Sequence, residues 1–121
     1  MCSAIARMAY PTLCRLVNTM CNRRATKGTG VGSWISFRFD RNVQISQIRL
    51  QQRTCSCEWF RELQLAFSDG TEQLVSLPPS KDPVTMTITP TGYIRSVKIT
   101  ALSMYATDNP GFVEVAFFGS Y

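Results

Sequence analysis

One stretch of alternating apolar and polar residues limits the possible folds most strongly. Ile35, Phe37 and Phe39 share one parity, which predicts a strand with a single apolar face. Residues 40–42 are polar and predict a turn, and residues 43–52 are rich in β-branched side chains and predict a second strand. The two runs predict a β-hairpin. Because an isolated hairpin is only marginally stable, further strands have to cover its apolar face.

The alternation changes phase inside the second run. Val43 and Ile45 have one parity, whereas Ile48 and Leu50 have the other. A strand can keep all four side chains on the core only if it contains an extra residue between the two pairs. The sequence therefore predicts a β-bulge near residues 46–47.

Five more runs of alternating residues follow along the chain, with turn signals between them. They span residues 60–67, 72–77, 84–89, 93–102 and 112–118. The Asp69-Gly70 pair between the first two is typical of a tight hairpin turn. Seven strands in regular succession predict an all-β protein built as an antiparallel β-sandwich.

Three ordered motifs resemble the discoidin-like family, the galactose-binding-like β-sandwich also known from the C-type domains of coagulation factors V and VIII. The motifs are GTGVGSWI with ISQIRL shortly after it, FSDGTEQLVSLP, and VEVAFFG near the end of the chain. The pattern is most similar to a poorly characterised branch of that family. The resemblance covers residues 27–119. It implies a jelly-roll sandwich that binds ligands with loops at one pole.

Residues 1–26 do not fit the family's opening strand well. Five of the 13 basic residues precede Gly28, namely Lys27 and four arginines of residues 1–26, and none of the eight acidic ones does, so the net charge of +5 lies before Gly28. Its apolar residues recur near helical spacing, although Pro11 interrupts them. We therefore divide the chain into a divergent basic segment with helical spacing, residues 1–26, and a discoidin-like domain, residues 27–121.

Three interpretations of the basic segment stay open. It is the family's first strand in divergent form, an Arg-rich targeting peptide like a mitochondrial presequence, or a basic arm for phosphate or membrane surfaces. A secretory signal is not expected, because Arg7, Pro11 and Arg15 interrupt the apolar run. The localisation stays open, with an intracellular protein or a module of a longer chain favoured. From Gly28 onward the charges balance, so no nucleic-acid partner is expected.

The sequence argues against catalysis and against a bound metal or cofactor. It contains no histidine, which excludes the commonest general base. Its five cysteines are an odd number, and a zinc site made of Cys14, Cys21, Cys55 and Cys57 would lack the usual paired C-x-x-C spacing. Acidic ligands for calcium are missing before Asp40. No apolar run is long enough to span a membrane.

The connections between the predicted strands fall alternately at the two ends of the sandwich. Short turns gather at one end, which we call the tight-turn pole: residues 40–42, 68–71 and 90–92. Longer connections gather at the other end, the long-loop pole: residues 22–32, 53–59, 78–83 and 103–111. Long loops on a rigid scaffold commonly carry binding residues. The resemblance to discoidin-like domains implies a ligand site at one pole, and we place it at the long-loop pole.

Five residues of the long-loop pole are candidate ligand contacts: Arg53, Trp59, Tyr105, Asp108 and Asn109. They combine planar hydrogen-bonding groups with aromatic faces, a combination that suits a sugar ring. Alternatives stay open for each kind of residue. Arg53 would equally form an ion pair with Glu58 or Asp108, Trp59 would equally belong to the core, and Asp108 and Asn109 would equally begin a plain turn.

These features predict a non-catalytic module that binds carbohydrate, with a glycan or glycoprotein as its partner. Two alternatives belong to other classes of function. One is a protein–protein interaction module. The other is a peripheral binder of anionic membrane surfaces, with the basic segment on the lipid and Trp59 inserted.

Overall fold

The computed structural model describes the all-β part of the chain. The described residues are 2–6, 12–19, 32, 34–52, 59–89, 92–105 and 112–120, the first two ranges as backbone. They form the strands β1 (Cys2–Ala6), β2 (Thr12–Thr19), β3 (Trp34–Gln52), β4 (Phe60–Phe67), β5 (Glu72–Ser76), β6 (Val84–Thr87), β7 (Ile94–Met104) and β8 (Phe112–Ser120). The all-β fold expected from the alternation is confirmed. Within these ranges no helix is long and apolar enough to cross a membrane.

Strand β3 is a single strand of 19 residues that contributes to both layers of the sandwich. Its first half pairs antiparallel with β7, and its second half pairs antiparallel with β8 and β6. The main strand order is β2-β8-β3-β7-β4-β5, with β1 and β6 as additional partners of β3. Because β3 lies in the middle of this order, the two layers share one strand.

The predicted hairpin within β3 is wrong. Residues 34–39 and 43–52 pair with other strands and not with each other. A hairpin would place both apolar faces on the same side of one sheet. Here the chain crosses from one layer to the other at residues 40–42, so the two apolar faces lie on opposite sides of the core and face each other. Burial of both faces therefore favours the crossing over the hairpin.

Arg95 supports the backbone where β3 changes layer. The pairing of β3 with β7 is interrupted between Arg38 and Val43. At this point Arg95 donates hydrogen bonds from Nε to the Phe39 carbonyl oxygen, at 3.1 Å, and from Nη2 to the Asp40 carbonyl oxygen, at 3.0 Å. The guanidinium thus supplies donors to carbonyl groups that the interrupted pairing leaves without strand partners.

The predicted bulge in β3 is confirmed. The register between β3 and β8 shifts between Ile45 and Gln47. As a result Val43, Ile45, Ile48 and Leu50 are all buried, with at most 1% of their surface exposed. The extra residue reconciles the two parities with a single core.

Aromatic side chains join the two layers. Phe37 and Phe39 of the first half of β3 contact Phe117 of β8 edge to face, with ring centroids 5.1 Å and 5.8 Å apart. At the other end of the sandwich, Phe60 of β4 stacks on Phe112 of β8 at 4.8 Å. All five rings belong to one cluster of buried residues, so the layers enclose a single core.

The basic segment contributes strands in its described part. β1 pairs parallel with the first half of β3, and β2 pairs antiparallel with β8. The helical spacing therefore does not produce a helix there, because pairing with β3 and β8 provides partners for the backbone. Of the three interpretations of the segment, packing on the sandwich agrees with this pairing. The side chains of all five cysteines, including the four of the conceivable zinc site, lie outside the described residues.

Gly119 provides a test of the closure between β8 and β3. A Cβ atom added at Gly119 would overlap the backbone carbonyl of Gln44, and that carbonyl belongs to a paired strand that cannot move freely. We expect Gly119→Ala to lower the free energy of unfolding by about 3 kcal/mol or more, as overpacking against backbone does. Urea unfolding followed by circular dichroism measures this change.

Gly92→Ala is the matched control. Its added Cβ would meet only the Asp69 carboxylate, at an ordinary contact distance of 3.5 Å. We expect a change of less than about 1 kcal/mol, as for most surface substitutions. Equal losses in the two variants would show that the close approach of β8 and β3 is not what makes Gly119 necessary.

Candidate functional site

Hydrogen bonds bring the described ends of the four long connections to one end of the sandwich. The Gly32 amide donates to the Ala101 carbonyl oxygen at 2.8 Å, and the Tyr105 amide donates to the Trp59 carbonyl oxygen at 3.1 Å. Phe60, the next residue after Trp59, is bound by Gln52, which also reaches Pro78. This grouping is the long-loop pole expected from the sequence.

The buried amide of Gln52 holds three of these chain segments together. Gln52 is the last residue of β3 and only 3% of its surface is exposed. Its Oε1 accepts from the Phe60 amide at 2.5 Å, and its Nε2 donates to the Phe60 carbonyl oxygen at 3.2 Å and to the Pro78 carbonyl oxygen at 3.4 Å. The side chain exchanges both hydrogen bonds with Phe60, as a residue of a paired strand would.

Tyr105 presents an aromatic ring in a fixed orientation at this pole. Its hydroxyl donates to the Leu77 carbonyl oxygen at 2.7 Å, and its amide is bound to Trp59. Nevertheless, 42% of Tyr105 is exposed. Phe60 and Met104 face the core. The adjacent Trp59 and Tyr105 therefore lie on the outer side of the layer that contains β4 and β7. The result is a solvent-facing ring that is anchored at both its backbone and its hydroxyl.

A β-bulge places Arg61 beside this ring. The register between β4 and β7 shifts on both sides of Glu62, so Arg61 and Glu62 are both exposed between the buried Phe60 and Leu63. The Arg61 guanidinium lies over the Tyr105 ring, 5.8 Å from its centroid. Bulges commonly redirect side chains in this way next to binding sites.

The structure locates two of the five residues that the sequence nominated. Trp59 is half-buried and Tyr105 is exposed, and their backbones are joined by a hydrogen bond. Arg53, Asp108 and Asn109 lie outside the described residues, so their assignment to the site stays a prediction.

Sequence reasoning did not identify Gln52 and Arg61. For Arg61 a signal exists: Phe60 and Leu63 are both apolar but have opposite parity, as a bulge between them requires. For Gln52 the sequence carries no comparable signal, because its partners lie across a loop at Phe60 and beyond β5 at Pro78, outside the periodic pattern of its own strand.

The tight-turn pole is occupied by local hydrogen bonds. Asp69 Oδ1 accepts from the Thr71 hydroxyl at 2.6 Å and from the Thr71 amide at 2.9 Å. These two hydrogen bonds lower the pKa of the Asp69 carboxyl group. Gly70 has φ = 91°, a left-handed conformation that suits glycine in the predicted Asp-Gly turn. The acidic side chain here has a structural role in the turn.

Comparison with known proteins places this chain in a family. The family profile described as "Domain of unknown function (DUF7402)" matches residues 18–118. The chain belongs to this family. No curated protein sequence matches the DUF7402 chain.

Solved structures with low sequence identity share the fold of the DUF7402 chain. An F5/8 type C domain from Bacteroides fragilis superimposes with a TM-score of 0.63 at 15% identity, covering 84% of this chain and 71% of that one. The family 32 carbohydrate-binding module of NanJ from Clostridium perfringens, solved with galactose, gives 0.56 at 18% identity, covering 74% and 68%. Another family 32 module from Clostridium perfringens, solved with GalNAc-β-1,3-galactose, gives 0.53 at 14% identity, covering 74% and 68%. The discoidin-like, galactose-binding-like fold is thereby confirmed.

Gln52→Leu tests whether the amide organises the pole. The substitution keeps the buried volume similar but leaves the amide and carbonyl groups of Phe60 without this partner. We expect the free energy of unfolding to fall by about 2–3 kcal/mol, the cost of leaving buried polar groups unsatisfied. Urea unfolding measures the loss, and hydrogen exchange should show faster exchange of the Phe60 amide.

Gln51→Leu is the control on the same strand. Its Nε2 makes one long, solvent-exposed hydrogen bond, 3.4 Å from the Lys81 carbonyl oxygen. We expect less than about 1 kcal/mol of destabilisation. If Gln52→Leu were as mild as this control, the amide would not be what joins the segments of the pole.

Proposed function

We propose that the protein is a non-catalytic carbohydrate-binding module whose ligand stacks on Tyr105 at the long-loop pole. The observation that carries the proposal is that this ring is anchored through its hydroxyl and yet 42% exposed. An aromatic ring already held in place loses little conformational freedom when a ligand packs on it. A sugar offers the complementary surface, an apolar patch of C–H groups bordered by hydroxyls.

The residues around Tyr105 supply both kinds of contact that a saccharide needs. Trp59 adds a second aromatic side chain, joined to Tyr105 by a backbone hydrogen bond. In this proposal Arg53, Asp108 and Asn109, which flank these residues in the sequence, supply donors and acceptors for the sugar hydroxyls. Each belongs to one of the connections of the long-loop pole.

The similarity of the fold supports the proposal in general terms. Two of the similar structures are family 32 carbohydrate-binding modules solved with galactose or a galactose-containing disaccharide. At these identities the likeness extends to the fold alone. The choice of a saccharide for this chain therefore depends on the aromatic and polar residues of its own long-loop pole.

A glycan array followed by calorimetry on the strongest hit tests the proposal. We expect Tyr105→Ala to weaken binding about five- to tenfold, because a stacked ring contributes roughly 1–1.5 kcal/mol. Arg53→Ala and Trp59→Ala are expected to abolish binding while the circular dichroism spectrum stays unchanged. Tyr105→Phe keeps the ring but frees it from Leu77, so a smaller loss of affinity is expected.

Tyr93→Ala is the matched control for loss of an exposed tyrosine. Tyr93 is 60% exposed and lies at the tight-turn pole, next to Gly92. Its removal should leave glycan affinity within about twofold of the parent protein, as for a residue outside the contact. A Tyr105→Ala variant that folds and binds like Tyr93→Ala would contradict the proposed site.

A protein–protein interaction module is the second candidate. It is favoured by Leu74, which is 71% exposed on β5, the strand at one end of the main strand order. An exposed apolar side chain on an edge strand is a recurring contact for another chain. Absence of binding to every glycan on the array would favour this candidate. Salt-sensitive binding to anionic vesicles would instead favour the peripheral membrane function.

A further inference from the structure

The positive charge beside Tyr105 has a consequence for ligand choice. Arg61 is exposed, and among the described residues no carboxylate lies within ion-pair distance of its guanidinium. We propose that the site selects acidic saccharides, with a carboxylate attached to the sugar ring bound by Arg61 while the ring stacks on Tyr105. This inference rests on the proposed carbohydrate-binding function and names the ligand class within it.

Two other arginines among the described residues make polar contacts within the sandwich, whereas Arg61 does not. Arg49 forms an ion pair with Glu114 at 2.9 Å, and Arg95 donates to two backbone carbonyl groups of β3. Arg61, by contrast, has its described contact with an aromatic face, which leaves its N–H donors for an external acceptor.

The neighbouring carboxylate does not neutralise Arg61. Glu62 follows it in the bulge, but its Oε1 accepts a hydrogen bond from the Ser103 hydroxyl at 2.8 Å, on the side of β7. The bulge therefore separates the positive group from the acidic group beside it and turns only the former toward Tyr105.

The geometry suits a carboxylate carried directly on a sugar ring. The guanidinium lies over the Tyr105 ring, 5.8 Å from its centroid, so a hexose packed on the part of the ring that the guanidinium leaves exposed would lie next to it. A carboxylate one bond away from the sugar ring can then meet the planar fork of Arg61 with two parallel N–H···O contacts. A neutral hexose presents a single hydroxyl at that position and forms a weaker hydrogen bond.

Paired oligosaccharides that differ only at this position test the inference. The probes are galacturonate and galactose trisaccharides of the same linkage, and glucuronate and glucose trisaccharides of the same linkage, each titrated by calorimetry at low and high ionic strength. We expect at least one acidic member to bind about tenfold or more tightly than its neutral partner at low salt, as charge-assisted hydrogen bonds allow. The preference should shrink at high salt.

Arg61→Gln should reduce the acidic preference to less than about threefold, because the affinity for the acidic partner falls more than the affinity for the neutral one, whose hydroxyl Gln can still hydrogen-bond. Arg61→Lys, which keeps the charge but loses the planar fork, should retain part of the preference. Arg38→Gln removes another exposed arginine, on β3 in the same layer, and should change neither affinity. Thermal unfolding confirms that each variant is folded.

The possible outcomes separate the inference from the function beneath it. Equal binding of acidic and neutral partners would overturn the inference and leave the carbohydrate-binding function standing. An acidic preference that survives Arg61→Gln would overturn the assignment to Arg61. Failure of the parent protein to bind any saccharide would overturn both proposals.

Discussion

The membership of one strand in both layers is the constraint on which the rest of the fold depends. β3 has to present an apolar face to the core before and after it crosses between layers. In its second half the parity of the apolar residues also changes between Ile45 and Ile48, and both pairs have to face the core. The register shift between Ile45 and Gln47 meets the second requirement. At the crossing, the guanidinium of Arg95 donates hydrogen bonds to two backbone carbonyl oxygens. Every other described strand except β5 pairs with β3 or with a partner of β3, and β5 pairs with β4 at the end of the strand order.

The same strand also organises the candidate site. β3 ends at Gln52, whose amide binds the first residue of β4 and the loop that follows β5. β4 in turn carries the bulge that exposes Arg61, and the carbonyl group of Leu77 anchors the Tyr105 hydroxyl. The exposed ring and the charged group beside it are therefore held by the core scaffold. A binding surface fixed in this way loses less conformational entropy when it meets a ligand.

Much of the fold could be predicted because burial leaves a periodic signal in the chain. The parity of Ile35, Phe37 and Phe39, the phase change after Ile45 and the Asp69-Gly70 turn each correspond to a feature of the structure. The predicted hairpin at residues 40–42 was wrong because two arrangements share the same sequence pattern. A polar turn between two alternating runs occurs both when the runs pair in one sheet and when they lie in opposite layers. Only contacts with β7 and β8 distinguish these cases, and they are distant in sequence.

The sequence by itself determined the buried apolar face of most strands, where the chain reverses and which connections are long, because alternation and turn chemistry are local properties. It also nominated Trp59 and Tyr105, since aromatic residues in long connections are unusual enough to notice. The tertiary structure alone decided that β3 crosses between layers and that the buried side chain of Gln52 hydrogen-bonds Phe60. It also decided that Arg61 lies over the Tyr105 ring. Each of these depends on hydrogen bonds or contacts between different strands and loops, and the alternation within a single strand does not encode them.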